Sequence, residues 1–251
     1  MRSSVHRIGI GIIVALVGTP AASALIISSG ASARPSESYV GLFGGGTAVA
    51  VGPRTILTAA HVGGGKGSAF VLGNTTYSAV STITSDTADL MSVTLDRDLP
   101  GWYPIAGESV RRGARLTIAG FGLTSDGASR NGFTWSDDRA EMWGLNRLDS
   151  AKDGHLFFRF DRSPGRQEAI LTPGDSGGAV FITGPGGELQ LVGINRGIYQ
   201  RAYGRATFGD TSVAVDLTRQ GAFIAGLNLV PTPGAAVLAT VCGVFASRRR
   251  R

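Results

Sequence analysis

The sequence predicts an antiparallel all-β fold, a sandwich or a barrel. Three observations carry this: strand-length apolar runs, turn residues at their ends, and a lack of segments with helical period between them. Taken in order, Ala48-Val49-Ala50-Val51 runs into Gly52-Pro53, and Leu116-Thr117-Ile118-Ala119 runs into Gly120. Residues 123 to 155 are polar and turn-rich without a clear period, and are expected to form a long connection between two halves. Ala179-Val180-Phe181-Ile182 then precedes Gly184-Pro185, and Leu191-Val192-Gly193-Ile194 follows. A short helix is expected near the end, with Asp216 as N-cap and Leu217, Phe223 and Ile224 on its apolar face, although Gly221 interrupts the pattern. No internal repeat is present.

Composition narrows the function classes. The chain has 251 residues, 43% of them apolar and 17% charged, which is ordinary for a folded globular protein. Its 38 glycines are about twice the usual share and imply many tight turns. The formal charge of +6 comes from the chain ends, at Arg2, Arg7 and Arg248 to Arg251. All eighteen acids lie between Glu37 and Asp216, and the eighteen basic residues that remain once those six terminal arginines are set aside balance them. No electrostatic footprint for nucleic acid remains.

Both ends read as targeting segments. Residues 1–24 place Arg2 and His6-Arg7 before an apolar run from Ile8 to Val17, then reach Ala22-Ser23-Ala24. This is the order of a secretory signal peptide, with cleavage expected after Ala24, or else after Ala33, by a signal peptidase. Residues 230–251 begin Val230-Pro231-Thr232-Pro233-Gly234, continue as an apolar stretch and close on four arginines. Such an order stops transfer across a membrane and keeps the arginines cytoplasmic. The tail resembles the bacterial PEP-CTERM sorting signal, with Thr232 in place of the glutamate between the prolines, and the resemblance implies an exosortase-type sorting enzyme as a partner. The alternative is a plain anchor helix. Either reading implies an exported protein of the bacterial envelope or exterior, tethered at least transiently. The only cysteine, Cys242, lies in this tail, so the domain at 25–229 must be stabilised by its packed core alone.

The chemistry centres on Gly174-Asp175-Ser176-Gly177-Gly178. Glycines around a serine permit a tight turn, close approach of a substrate, and backbone N–H groups aimed at a developing oxyanion. These residues also satisfy Gly-x-Ser-x-Gly, but the α/β-hydrolase elbow needs a histidine after its serine. The three histidines are His6, His61 and His155, all before it. His61 closes the run Leu57-Thr58-Ala59-Ala60, whereas His155 sits among turn residues and reads as a partly exposed loop position. A carboxylate must orient such a base, and Asp89, heading Leu90-Met91-Ser92-Val93, suits this better than Asp86. No metal or nucleotide site competes: the histidines lack zinc spacing, and Gly63-Gly64-Gly65-Lys66-Gly67 lacks the full phosphate-loop pattern. No cofactor is expected.

Thr58-Ala59-Ala60-His61, Asp89-Leu90-Met91 and Gly174 to Gly178, in that order, resemble the trypsin/chymotrypsin-like serine peptidase family. Val51 to Leu57, Gly120-Phe121-Gly122 and Val192-Gly193-Ile194 extend the resemblance over residues 40–227. The family implies two six-stranded antiparallel β-barrels with the site between them and a polypeptide substrate. By the same resemblance Ser176 is the nucleophile, His61 the general base and then acid, and Asp89 its orienting partner. Backbone N–H groups of Gly174 and Ser176 would form the oxyanion hole. Ile170 stands where trypsin-like members carry the aspartate that binds Arg or Lys, which implies a small or apolar P1 residue. Asn195-Arg196-Gly197 occupies the pocket wall, with Arg196 expected to fill part of it. Ile26-Ile27-Ser28-Ser29 loosely matches the family's activating N-terminus, and its amine would pair with Asp175. A rival reading keeps the fold without the chemistry, as a surface binding module.

Overall fold

The computed structural model describes residues 25–28, 34–162, 167–227 and 229. The expected signal peptide at 1–24 and tail at 230–251 lie outside the described residues. β1 (Ile26–Ile27) is a short N-terminal strand. The next six strands, β2 (Val40–Phe43), β3 (Gly46–Gly52), β4 (Thr55–Thr58), β5 (Ala69–Leu72), β6 (Thr75–Thr84) and β7 (Met91–Leu95), close into an antiparallel barrel in the order β2-β3-β4-β7-β6-β5.

The second half is built from β8 (Arg115–Gly120), β9 (Leu123–Ser129), β10 (Gly132–Arg139), β11 (Met142–Arg147), β12 (Ser150–Lys152), β13 (His155–Arg159), β14 (Ala169–Ile170), β15 (Ala179–Thr183), β16 (Leu189–Tyr199), β17 (Arg205–Thr207) and β18 (Thr211–Asp216). Seven of these form one curled sheet in the order β11-β8-β15-β16-β18-β13-β12, and β17-β10-β9 form a separate three-stranded sheet beside it. The two-barrel expectation therefore becomes one closed six-stranded barrel and one curled half-barrel, in a chymotrypsin-like arrangement.

The stretch expected as a connection is instead β9 to β12. Its hydrophobic pattern is sparse because much of this region faces solvent, yet Phe133 and Trp135 pack on the cluster of Ile26, Phe160, Ile170 and Ala206. Trp143, 1% exposed, belongs to the central core. At the other end a short C-terminal helix is present as expected, but Asp216 caps a 3₁₀ turn over Leu217–Arg219 instead, accepting from the Thr218 N–H at 3.0 Å, and α1 (Gly221–Ala225) follows as a separate element. The single helix expected from Asp216 is thus split in two, and Gly221 begins the second piece.

Alternation along β3 explains why the halves adhere. Every residue of Gly46-Thr47-Ala48-Val49-Ala50-Val51-Gly52 is buried. Ala48 and Ala50 point into the barrel with Phe43, Ile56 and Phe70, while Val49 and Val51 point outward to Trp143, Phe181, Leu191 and Ile194 of the second half. The period of two thus serves two cores at once. Trp143 and Phe181 stack at 5.6 Å in that seam, and Tyr103 lies 4.6 Å from Phe181 at a tilted angle. Phe181→Ala empties the centre of the seam and is expected to cost roughly 3 to 5 kcal/mol, read as a lower midpoint in urea denaturation.

Candidate active site

β4 ends at Thr58, and the chain turns at once into a 3₁₀ turn over Ala60–Val62 that carries His61 toward the second half. Asp89 precedes β7, which pairs with β4 through Met91 and Thr58. That pairing brings the carboxylate under the histidine: Asp89 Oδ1 accepts from the His61 backbone N–H at 3.0 Å, and Oδ2 lies 2.7 Å from His61 Nδ1. A carboxylate only accepts, so Nδ1 holds the ring proton and Nε2 is left as an acceptor. Ser176 Oγ stands 2.8 Å from Nε2. Three residues expected to act together from sequence are therefore joined in one hydrogen-bonded line.

The serine sits on a turn clamped from both sides. From the barrel, the Thr47 N–H donates to the Ser176 carbonyl at 2.8 Å, and the Thr47 hydroxyl donates to the Gly174 carbonyl at 2.9 Å. From the half-barrel, the Gly177 N–H donates to the Asn195 carbonyl at 2.8 Å. Gly177 has φ +83°, and a Cβ there would collide with the Thr47 carbonyl, so only glycine lets the turn approach β3 this closely. The N–H groups of Gly174 and Ser176 donate to no acceptor among the described residues.

Asp175 lies beneath the turn, fully buried. Its carboxylate accepts from the Gly122 N–H at 2.8 Å, from the Thr172 N–H at 2.7 Å and from the Thr172 hydroxyl at 3.0 Å. Burial pushes the carboxyl up to about 7, and the Thr172 and Gly122 donors and the charge of Arg139 offset only part of that. The expected pairing of Asp175 with an N-terminal ammonium requires a chain that begins at Ile26, whereas here Leu25 precedes it. Ile26 instead pairs with Ile170 in the β1–β14 ladder, and Leu25 before it is fully buried, so this segment is used as a strand.

The pocket residues also need correction. Ile170 is 1% exposed because β1 covers it, so it packs in the core rather than presenting a surface to substrate. Asn195 is 0% exposed and works from below: its Nδ2 donates to the Ala119 carbonyl at 3.1 Å, tying the serine turn to β8. Arg196 does reach the cleft, with Ser176 Oγ 3.3 Å from its carbonyl, and Gly197 is half-buried beside it. His155 begins β13 instead of lying in a loop, half-buried, with Nδ1 2.9 Å from the Asp153 carbonyl.

Thr47, Thr172 and Arg139 were not identified by sequence reasoning. Thr47 left a faint trace as the one hydrogen-bonding side chain in a run of small apolar residues; the other two have no local signal.

A closed barrel facing a curled half-barrel, with an Asp–His–Ser line in the seam, defines the architecture of two-barrel serine peptidases. The chain belongs to the trypsin-like peptidase domain family, whose model matches residues 46–194. Among solved structures it is similar to neuropsin, a serine protease expressed in the limbic system of mouse brain. That likeness has a TM-score of 0.60 at 17% identity and covers 78% of this chain and 96% of neuropsin, which speaks for the fold. No curated protein matches in sequence.

Two outcomes follow from this geometry. Thr47→Val leaves the Gly174 carbonyl and the Phe121 N–H without the hydroxyl they share. It is expected to destabilise the protein by about 1 to 3 kcal/mol in chemical denaturation. Asp175, with a native value of about 7 against an ordinary 3.8, binds more protons folded than unfolded between those limits. Its contribution is therefore most stabilising at low pH and declines as pH rises from about 4 to about 7. Unfolding free energies of wild type minus Asp175→Asn should fall across that window; a flat difference contradicts the assignment.

Proposed function

We propose that the protein is an exported serine endopeptidase working through an acyl-enzyme intermediate. The carrying observation is the unbroken line Asp89 Oδ2, His61 Nδ1, His61 Nε2, Ser176 Oγ at 2.7 and 2.8 Å. In this reading Ser176 Oγ attacks the scissile carbonyl carbon while His61 Nε2 takes the hydroxyl proton. Asp89 stabilises the imidazolium and keeps its orientation. The carbonyl oxygen, now negative, is received by the free N–H groups of Gly174 and Ser176, a contribution worth about 3 kcal/mol per donor in comparable sites. Collapse of the tetrahedral species expels the amine, which His61 protonates, and water then repeats the sequence to release the acid and restore the serine.

Export rests on the sequence of residues 1–24, removed by a signal peptidase. The tail at 230–251 would hold the enzyme at the membrane until an exosortase-type enzyme removes it. Support for peptidase activity over a silent binding module is that all three side chains are present, bonded to one another and placed at an accessible seam.

A fluorophosphonate probe on the full chain tests the chemistry. Wild type should be labelled, Ser176→Ala and His61→Ala should not, and Asp89→Asn should lower peptide turnover by about 10⁴-fold. Failure of folded wild type to react would sink the peptidase reading.

A further inference from the structure

Two arginines flank Ser176, and neither is accounted for by the steps above. In the β16–β18 ladder Asn195 pairs with Ala214 and Gly197 with Val213, so Arg196 is the extra residue of a β-bulge. A bulge re-aims the side chain it carries. Here the Arg196 carbonyl is anchored beside the Ser176 hydroxyl, and the guanidinium turns to the histidine side of the cleft, with Nε 3.5 Å from Asp89 Oδ2. That separation is too long for a strong hydrogen bond. The side chain is 43% exposed, and its terminal nitrogens make no hydrogen bond with the described residues.

Arg139, at the end of β10, lies on the other component of the site. Its guanidinium covers Gly174 on the side where a Cβ would stand, and Nη2 donates to the Gly45 carbonyl at 3.1 Å. Among the described residues it has no carboxylate partner, and its neighbours Asp137 and Asp138 form no ion pair with it. The acids near the pair are already engaged. Asp89 is shared with His61, and Asp175 is buried under donors from Thr172 and Gly122.

We propose that Arg196 and Arg139 select polypeptides bearing a glutamate or aspartate within two residues of the scissile bond, an inference that rests on Ser176 acting as a peptidase nucleophile. A substrate strand laid over Ser176 must pass both guanidinium groups. Their planar donor forks match a carboxylate in geometry and charge, and a low-dielectric cleft concentrates their field. The same field disfavours lysine and arginine at these positions, and the buried Ile170 supplies no carboxylate to receive them. Because the arginines are partly exposed, the preference for glutamate over glutamine should be roughly two- to fivefold and should shrink as salt rises.

The test uses the full chain and internally quenched peptides that place Glu, Gln, Ala or Lys at each of the two residues on either side of the cleaved bond. Ratios of kcat/KM for Glu against Gln are compared in wild type, Arg196→Gln and Arg139→Gln, with fluorophosphonate labelling alongside. The expected result is a Glu preference at one or more positions that collapses toward unity in at least one variant and weakens in high salt. A labelled wild type that shows no Glu preference, keeps the preference in both variants, or cleaves none of the peptides overturns the inference while leaving the reactive serine standing. An unlabelled, inactive wild type overturns the peptidase reading beneath it.

Discussion

The turn from Gly174 to Gly178 is held from above by Thr47 and from below by Asn195, and the architecture of the site depends on that double clamp. Neither half of the molecule can position Ser176 alone. The barrel supplies His61 and Asp89, the half-barrel supplies the serine turn, and Thr47 joins them by donating through both its N–H and its hydroxyl. In the proposed mechanism the nucleophile needs its base within hydrogen-bond reach, so the relative placement of the two halves would itself be part of the chemistry. The aromatic seam of Trp143, Phe181 and Tyr103 secures that placement, because close-packed rings resist the sliding that would open a 2.8 Å contact.

Beneath the turn the structure tolerates an expensive group. Burying a carboxylate is unfavourable, and three donors from Thr172 and Gly122 only partly compensate at Asp175. In return, the carboxylate ties the residue before the serine to β14's exit and to the turn after β8. In the uncut chain the N-terminal segment stabilises this region by backbone pairing and apolar burial: Ile26 pairs with Ile170 in the two-stranded β1–β14 sheet, and both are buried.

Electrostatics around the serine follow from which backbone irregularities the sheets contain. A bulge turns Arg196 into the cleft, and the end of β10 lays Arg139 over Gly174. The segment carrying Arg139 reads in sequence as a featureless connection, because β9 and β10 form a small separate sheet with many exposed residues and few apolar ones. Period-based reading detects strands that bury a face fully, as β3 does, and misses those that bury only an occasional aromatic such as Phe133 or Trp135.

The sequence by itself determined the all-β class, a short helix near the C-terminal end of the domain, and the identities of Ser176, His61 and Asp89 as candidates. Those depend on local properties: alternation, glycine-permitted turns, and side chains able to carry the chemistry. Only the tertiary structure decided that the second half curls without closing, that Ile170 and Asn195 are buried under neighbours, and that Thr47 clamps the turn. Those depend on which distant segments meet, and Thr47 lies 127 residues from the Gly174 carbonyl it binds. A hydrogen bond spanning that separation leaves no periodicity or motif in the chain that makes it.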